Sequence, residues 1–203
     1  MRRLGAVPGA TLGAVLWAIL AAALLLAGQG VAGEAPPEPD GYRTGDLRAA
    51  TPATLAGARV LDLAGLEAAV AAGAVLVDVG PAPVKPADLP ADRPWLPRHR
   101  SIPGAAWLPG AGLGDDLTPE RAALVLRQVA ALTGGDATRA VVVFCQPDCW
   151  ASWNLGRRLV RAGYTGVAWF PGGVDAWQAG HPTAPVEALP GWEAPAPKPA
   201  GSG

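Results

Sequence analysis

The sequence predicts an α/β domain with a mainly parallel central sheet and helices on both faces. Short apolar runs at 74–79, interrupted by Asp78 alone, and unbroken ones at 141–144 and 167–170 have the character of buried strands. Between them lie stretches whose apolar residues recur at helical spacing, and glycines at 73, 134–135 and 163 stand where each pattern stops. Sixteen basic and 17 acidic residues leave a net charge of −1, which gives no basic surface for nucleic acid or anionic lipid and argues against a nucleic-acid role. Eight tryptophans, beside two Phe and two Tyr, are expected chiefly in the core.

In chain order, residues 1–33 read as an export signal: Arg2 and Arg3, an apolar stretch over 12–26, and the small residues Val31-Ala32-Gly33 before Glu34. An uncleaved membrane anchor is the alternative, because residues 4–31 carry no charge. Cleavage leads to a periplasmic location with no membrane span after the signal, in an oxidising compartment where a disulfide can persist. Residues 34–57, with Pro36, Pro37, Pro39 and Gly41, read as an extended lead-in. The domain proper is expected over 58–182. It begins with a strand at 59–61, a helix at 63–72 with Leu66, Ala69 and Val70 on one face, and the strand 74–79, which ends in Asp78. A carboxylate there reads first as an acceptor for N–H groups of the following loop, and second as a site residue.

The proline-rich stretch 81–102 is expected to be a long irregular loop, bearing Trp95, Arg98, His99 and Arg100. The last three form either a basic wall that attracts an anionic substrate or an ordinary surface cluster. A short strand at 106–108 follows, and Thr118-Pro119-Glu120 supplies an N-cap hydroxyl, a first-turn proline and an early carboxylate for the next helix. The strand 141–144, a helix at 151–161, the strand 167–170 and a short helix through Asp175 and Trp177 complete the domain. Residues 183–203, mostly Pro, Ala and Gly, are expected to form a disordered tail.

The organising stretch is AVVVFCQPDCWASWN, residues 140–154. Cys145 stands at the tip of a buried strand, and a short loop leads through Cys149 to a helix N-terminus, whose dipole favours a thiolate. Functional sites of such folds lie at the carboxyl ends of the strands, which puts Gly80, Cys145 and Pro171 on one rim. These are the only two cysteines in the chain. They read as a nucleophile with a resolving thiol, as a structural disulfide, or as two buried thiols. Two Cys and two distant His do not make a recognised metal-ligand spacing, so no metal is expected.

Several segments together resemble a rhodanese domain over roughly 59–182: Val75-Leu76-Val77-Asp78-Val79, Ile102-Pro103-Gly104-Ala105, Val141 to Cys145, Gly163-Tyr164, Gly172 to Trp177, and Gly180-His181-Pro182. The details CQPDCWASWN and RSIPGAAWLP, with the export signal, further resemble the exported CXXCW-motif proteins associated with PQQ-dependent catabolism. The resemblance implies a rhodanese-like sulfurtransferase in which Cys145 carries sulfane sulfur as a persulfide. Its cradle is then Gln146, Pro147, Asp148, Cys149, Trp150 and Ala151, and Asp78, Arg98, His99 and Arg100 are candidate substrate-binding residues. It implies no cofactor of the chain's own. The implied partners are a small sulfur-containing substrate or thiol and a periplasmic PQQ-dependent dehydrogenase or its electron acceptor. Trp95, Trp107, Trp150 and Trp153 offer faces for a quinone. Pro147 has no N–H to donate, and Asp148 is expected to oppose a Cys145 thiolate and an anionic donor such as thiosulfate. The alternative is a non-catalytic module that keeps the fold and docks such a partner.

Overall fold

The structure is a computed structural model that describes residues 35–90, 92–96 and 98–194. The expected export signal at 1–33 lies outside the described residues. Eleven elements follow in order among them. They are β1 (Arg59–Val60), α1 (Leu63–Ala71), β2 (Val75–Asp78), β3 (His99–Ser101), β4 (Ala106–Trp107), α2 (Pro119–Thr133), β5 (Val141–Phe144), α3 (Trp150–Arg161), β6 (Val167–Phe170), α4 (Gly173–Gln178) and β7 (Ala184–Val186). Five strands form one sheet in the order β1-β6-β5-β2-β4, and every pairing in it is parallel.

The expected α/β architecture with helices on both faces is present. Val141, Val143 and Cys145 point to one face, which α2 and α3 cover with Val125, Val129, Trp153, Leu155 and Leu159. Val142 and Phe144 alternate to the other, against Leu66 of α1 and Trp177 of α4. All four residues of β5 are buried, as are all four of β6, which is why these runs read as apolar without alternation. The helix-start chemistry works as the residue types dictate: Thr118 Oγ1 accepts the Arg121 N–H at 3.4 Å, and α2 stops at Gly134 with φ 68°. Among the described residues no helix is long and apolar enough to cross a membrane.

Two expectations are corrected. The loop at 81–102 is not irregular throughout, because His99–Ser101 pairs antiparallel with Ala184–Val186. The same pairing overturns a tail disordered from 183. Leu189 N–H donates to Trp107 O (2.9 Å), and Trp192 is 5% exposed, with its Nε1–H on Pro109 O (3.0 Å). One buried indole with a satisfied N–H outweighs the disorder-prone composition around it. Accordingly, Trp192→Ala should destabilise the domain by about 3–5 kcal/mol, the range for truncating a buried aromatic, as read by urea denaturation; an unchanged midpoint would mean that the segment does not pack.

Candidate functional site

Cys145 follows β5 directly, and Cys149 is the N-cap residue of α3. Three residues, Gln146, Pro147 and Asp148, connect them. Asp148 turns the chain with φ 51°, the one non-glycine residue with positive φ among those described, and Asp is among the few types that tolerate that region. The turn brings Cys149 back into the core cluster that holds Cys145, where each thiol is the largest influence on the other's ionisation. Both are free thiols and both are buried, at 1% and 4% exposure.

The surroundings hold this geometry. Val174 N–H donates to Cys145 O at 2.9 Å. Gly173, at φ 58°, allows that approach: a Cβ there would lie 2.6 Å from Cys145 O and 2.7 Å from the Gln146 carbonyl carbon. Ser152 Oγ–H donates to Cys149 O (3.1 Å) and accepts Trp169 Nε1–H (3.0 Å), so the start of α3 is tied to β6. Asn154 Nδ2–H donates to Gly112 O (3.0 Å) and to Arg43 O (2.9 Å), which joins α3 to the loop before α2 and to the lead-in.

The two thiols divide their ionisation unequally. Contact with Cys149 pushes the Cys145 thiol far above its ordinary range, and burial and the Cys149 charge push the same way; the Gln146 N–H opposes them, and the buried Asp78 carboxylate adds a smaller upward push. Cys149 moves down, first through its contact with Cys145, against burial, and with help from the N–H groups of Ala151, Gln146 and Ser152. Its sulfur makes no well-aligned capping hydrogen bond. The help from α3 is therefore that of nearby partial positive charge at a helix N-terminus. The helix dipole expected to favour a thiolate thus acts on Cys149, the residue at the helix start.

The other residues of the expected cradle are distributed as follows. The Gln146 N–H serves both sulfurs. Pro147 is half-buried, and Ala151 sits in the first turn of α3. The Trp150 N–H is taken by Leu47 O (2.9 Å). Asp148 is exposed, and its carboxylate is not among the groups that shift either thiol. The expected opposition of Asp148 to the thiolate is corrected: Asp78 is the carboxylate that acts on Cys145.

Asp78 is 1% exposed and fully engaged. It accepts the Gly80 N–H (2.6 Å), the Ser101 hydroxyl (2.6 Å) and His99 Nε2–H (2.7 Å). His99 also stacks on Trp107 at 4.2 Å between ring centroids. Strand alternation separates His99 from Arg100. His99 turns in to Asp78, Arg100 bonds Thr183 Oγ1 (2.9 Å), and Arg98 and His99 line a shallow pocket of about 430 Å³ with Trp95 and Glu187. No continuous basic wall faces the cysteines. Trp150 and Trp153 are buried edge to face at 5.3 Å and Trp107 is covered by His99, so of the four tryptophans considered for a quinone only Trp95 presents an open face. Among the described residues no cluster of three His, Cys, Asp or Glu is placed to hold a metal ion.

What the residue pattern did not reveal is the lead-in's part. Arg43, Leu47, Arg48 and Ala49 all contact the loop or α3. The available signals were Leu47 and Leu55, large aliphatic residues in a stretch otherwise mostly of small, polar and proline residues.

No family profile matches the chain, and no curated protein matches it. Among solved structures, it is similar to a human single-domain sulfurtransferase (23% identity, 62% of this chain and 99% of that one, TM-score 0.37). It is similar also to a rhodanese-like domain from Anabaena (21%, 61% and 74%, TM-score 0.37). A third is the polysulfide-sulfur transferase homodimer of Wolinella succinogenes (20%, 64% and 80%, TM-score 0.40).

The ionisation pattern has a direct readout. Ultraviolet thiolate absorbance of the reduced protein should show one thiolate already present near neutral pH, lost as acid passes below the lowered Cys149 value, and no second one until strongly alkaline pH. Cys149→Ser should abolish the early thiolate, and Asp148→Asn should leave it in place. A titration with two thiols near the ordinary value would refute the assignment.

Proposed function

We propose that this chain is an exported rhodanese-like protein of sulfane-sulfur chemistry, in which Cys145 carries the sulfur and Cys149 releases it. The observation that carries the reading is the placement of two free, buried thiols at one loop, Cys145 at the end of β5 and Cys149 at the N-cap of α3, where Cys145 helps to lower Cys149. In the first step the Cys145 sulfur attacks the outer sulfur of a sulfane donor while the Cys149 thiolate, as general base, takes its proton in the same event, because the Cys145 thiol does not ionise beforehand; an S–S bond forms and the donor's remainder leaves with the bonding electron pair. In the second, Cys149 attacks Sγ of Cys145; a Cys145–Cys149 disulfide forms, the bond to the carried sulfur breaks, and that sulfur leaves as sulfide with the Cys149 proton. The carried sulfur is thereby reduced and the dithiol oxidised. A thiol reductant, the second co-reactant, restores the pair.

The motif order supports the sulfur-transfer class. CQPDCWASWN and the signal-like N-terminus support a periplasmic setting linked to PQQ-dependent alcohol catabolism, with a PQQ-dependent dehydrogenase or its electron acceptor as partner. A second reading, a non-catalytic docking module with the cysteines as a structural or redox-active pair, is favoured by the near-complete burial of both thiols.

Mass spectrometry after treatment of the reduced protein with a sulfane donor separates these readings. Wild type should release sulfide and end as an intramolecular disulfide, whereas Cys149→Ser should stop at one extra sulfur on Cys145. A wild type that takes up no sulfur under conditions where its thiols alkylate would leave the docking module as the reading.

A further inference from the structure

The lead-in crosses the cysteine loop as a strap. Ala49 N–H donates to Asp148 O (3.0 Å) and Leu47 O accepts the Trp150 N–H (2.9 Å), so that Arg48 stands opposite Cys149 in an isolated antiparallel bridge. Leu47 and Ala49 pack against the core cluster that contains both cysteines. On the outer side Arg48 reaches Gln146 Oε1 (3.1 Å), and Trp150 Nε1–H donates to Ala50 O (3.0 Å). The strap thus lies across the loop that joins Cys145 to Cys149, with its apolar side on the cluster that holds both thiols, and occupies an N–H at the start of α3.

Its two ends are anchored to α3 and to the core. On one side the Arg43 N–H and O both bond Asn154, at 2.9 Å each. On the other, Thr54 O accepts Trp153 Nε1–H (3.0 Å) and Leu55 is 2% exposed. Between these anchors Thr44, Gly45, Asp46, Arg48 and Ala50 are exposed, and two backbone hydrogen bonds tie residues 47–49 to the loop. Gly45, with φ 73° and no atom within 4 Å of a would-be Cβ, is free to rotate as a hinge. Few buried contacts and exposed backbone bonds mark a segment that opens well below the cost of global unfolding.

We propose that residues 44–50 are a gate over the thiol pair. Closed, the strap keeps Cys145 and Cys149 from solutes; lifted between its anchors, it uncovers both sulfurs and frees the Trp150 N–H for an anionic group beside them. The gate holds whichever chemistry the pair performs, and its readout is alkylation rather than sulfur transfer.

Ala49→Pro deletes the donor to Asp148 O and leaves every residue of the cysteine loop in place. Iodoacetamide should modify the reduced variant about fivefold faster or more, the effect of one net hydrogen bond on the open population. Circular dichroism should be unchanged. In the wild type, the Ala49 and Trp150 amides should exchange with deuterium together and faster than those of Val142 and Val143 in β5. Alkylation unaltered in a folded variant would overturn the gate. So would strap amides protected as fully as those of β5, which decides the matter alone if the variant does not fold.

Discussion

The arrangement of the site depends on one backbone turn. Three residues must carry the chain from Cys145, just past β5, to Cys149, the N-cap of α3, and they do so with Asp148 in the left-handed region. That turn puts Cys149 at the helix N-cap and against Cys145. Much else in the neighbourhood conforms to it. Gly173 lacks a Cβ where the β6–α4 turn meets Cys145 O, and Gly112 lacks one where a Cβ would lie 2.1 Å from Ala151 O. Ser152 and Trp169 secure the first turn of α3 from inside. A round, open loop would leave its N–H groups aimed at a bound sulfur; here those N–H groups are shared among two sulfurs and the strap.

That division explains the charge pattern. A thiol in contact with another thiol cannot ionise independently, because the first proton lost leaves a charge that the second must oppose. Which thiol ionises first is decided by the surrounding dipoles, and these favour Cys149: Ala151, Gln146 and Ser152 present N–H groups to it, whereas Cys145 has the Gln146 N–H and the buried Asp78 charge. Asp148, adjacent in sequence, is exposed, and its charge is screened by solvent. Distance along the chain is thus a poor guide to electrostatic influence here. Asp78, 67 positions away from Cys145, acts on it because β2 and β5 are neighbours with Asp78 in register with Phe144.

The parallel sheet was legible because its strands are buried on both faces and announce themselves as apolar runs, while glycines and the Thr118-Pro119 start mark the helices. The two cysteines and the rim they occupy were legible from the same logic. Three features were not. The strand at 99–101 exists only through its pairing with 184–186, and neither segment has an apolar pattern of its own. The order of residues 187–194 rests largely on Trp192, which local composition outvotes. The strap's bonds to the loop are mostly made by its main chain, to which the identity of Thr44 or Ala50 contributes little, and the Asp46 carboxylate acts only within the strap, accepting the Arg48 N–H at 2.8 Å. Asp78 was the nearest success among the polar residues: its reading as an N–H acceptor matches its bond from Gly80, although its other partners, Ser101 and His99, come from a segment expected to be loop.

Burial and reactivity pull against each other in this site. Two thiols that share one loop and one core cluster are exposed to oxidation as a pair, and an oxidising compartment of the kind proposed favours their disulfide wherever a small oxidant reaches the sulfurs. Burial under Leu47 and Ala49 limits that access, but the same cover excludes a sulfur donor. Tight permanent cover would suit a purely structural pair, and an open loop would suit an unprotected nucleophile. The observed cover is neither: it is pinned by Asn154 and Trp153 at its ends and joined to the loop by few bonds between them. A segment so attached lets the pair stay reduced between encounters and still meet a reactant, because the interval that matters for chemistry is set by the opening of the strap rather than by the exposure of the sulfurs at rest.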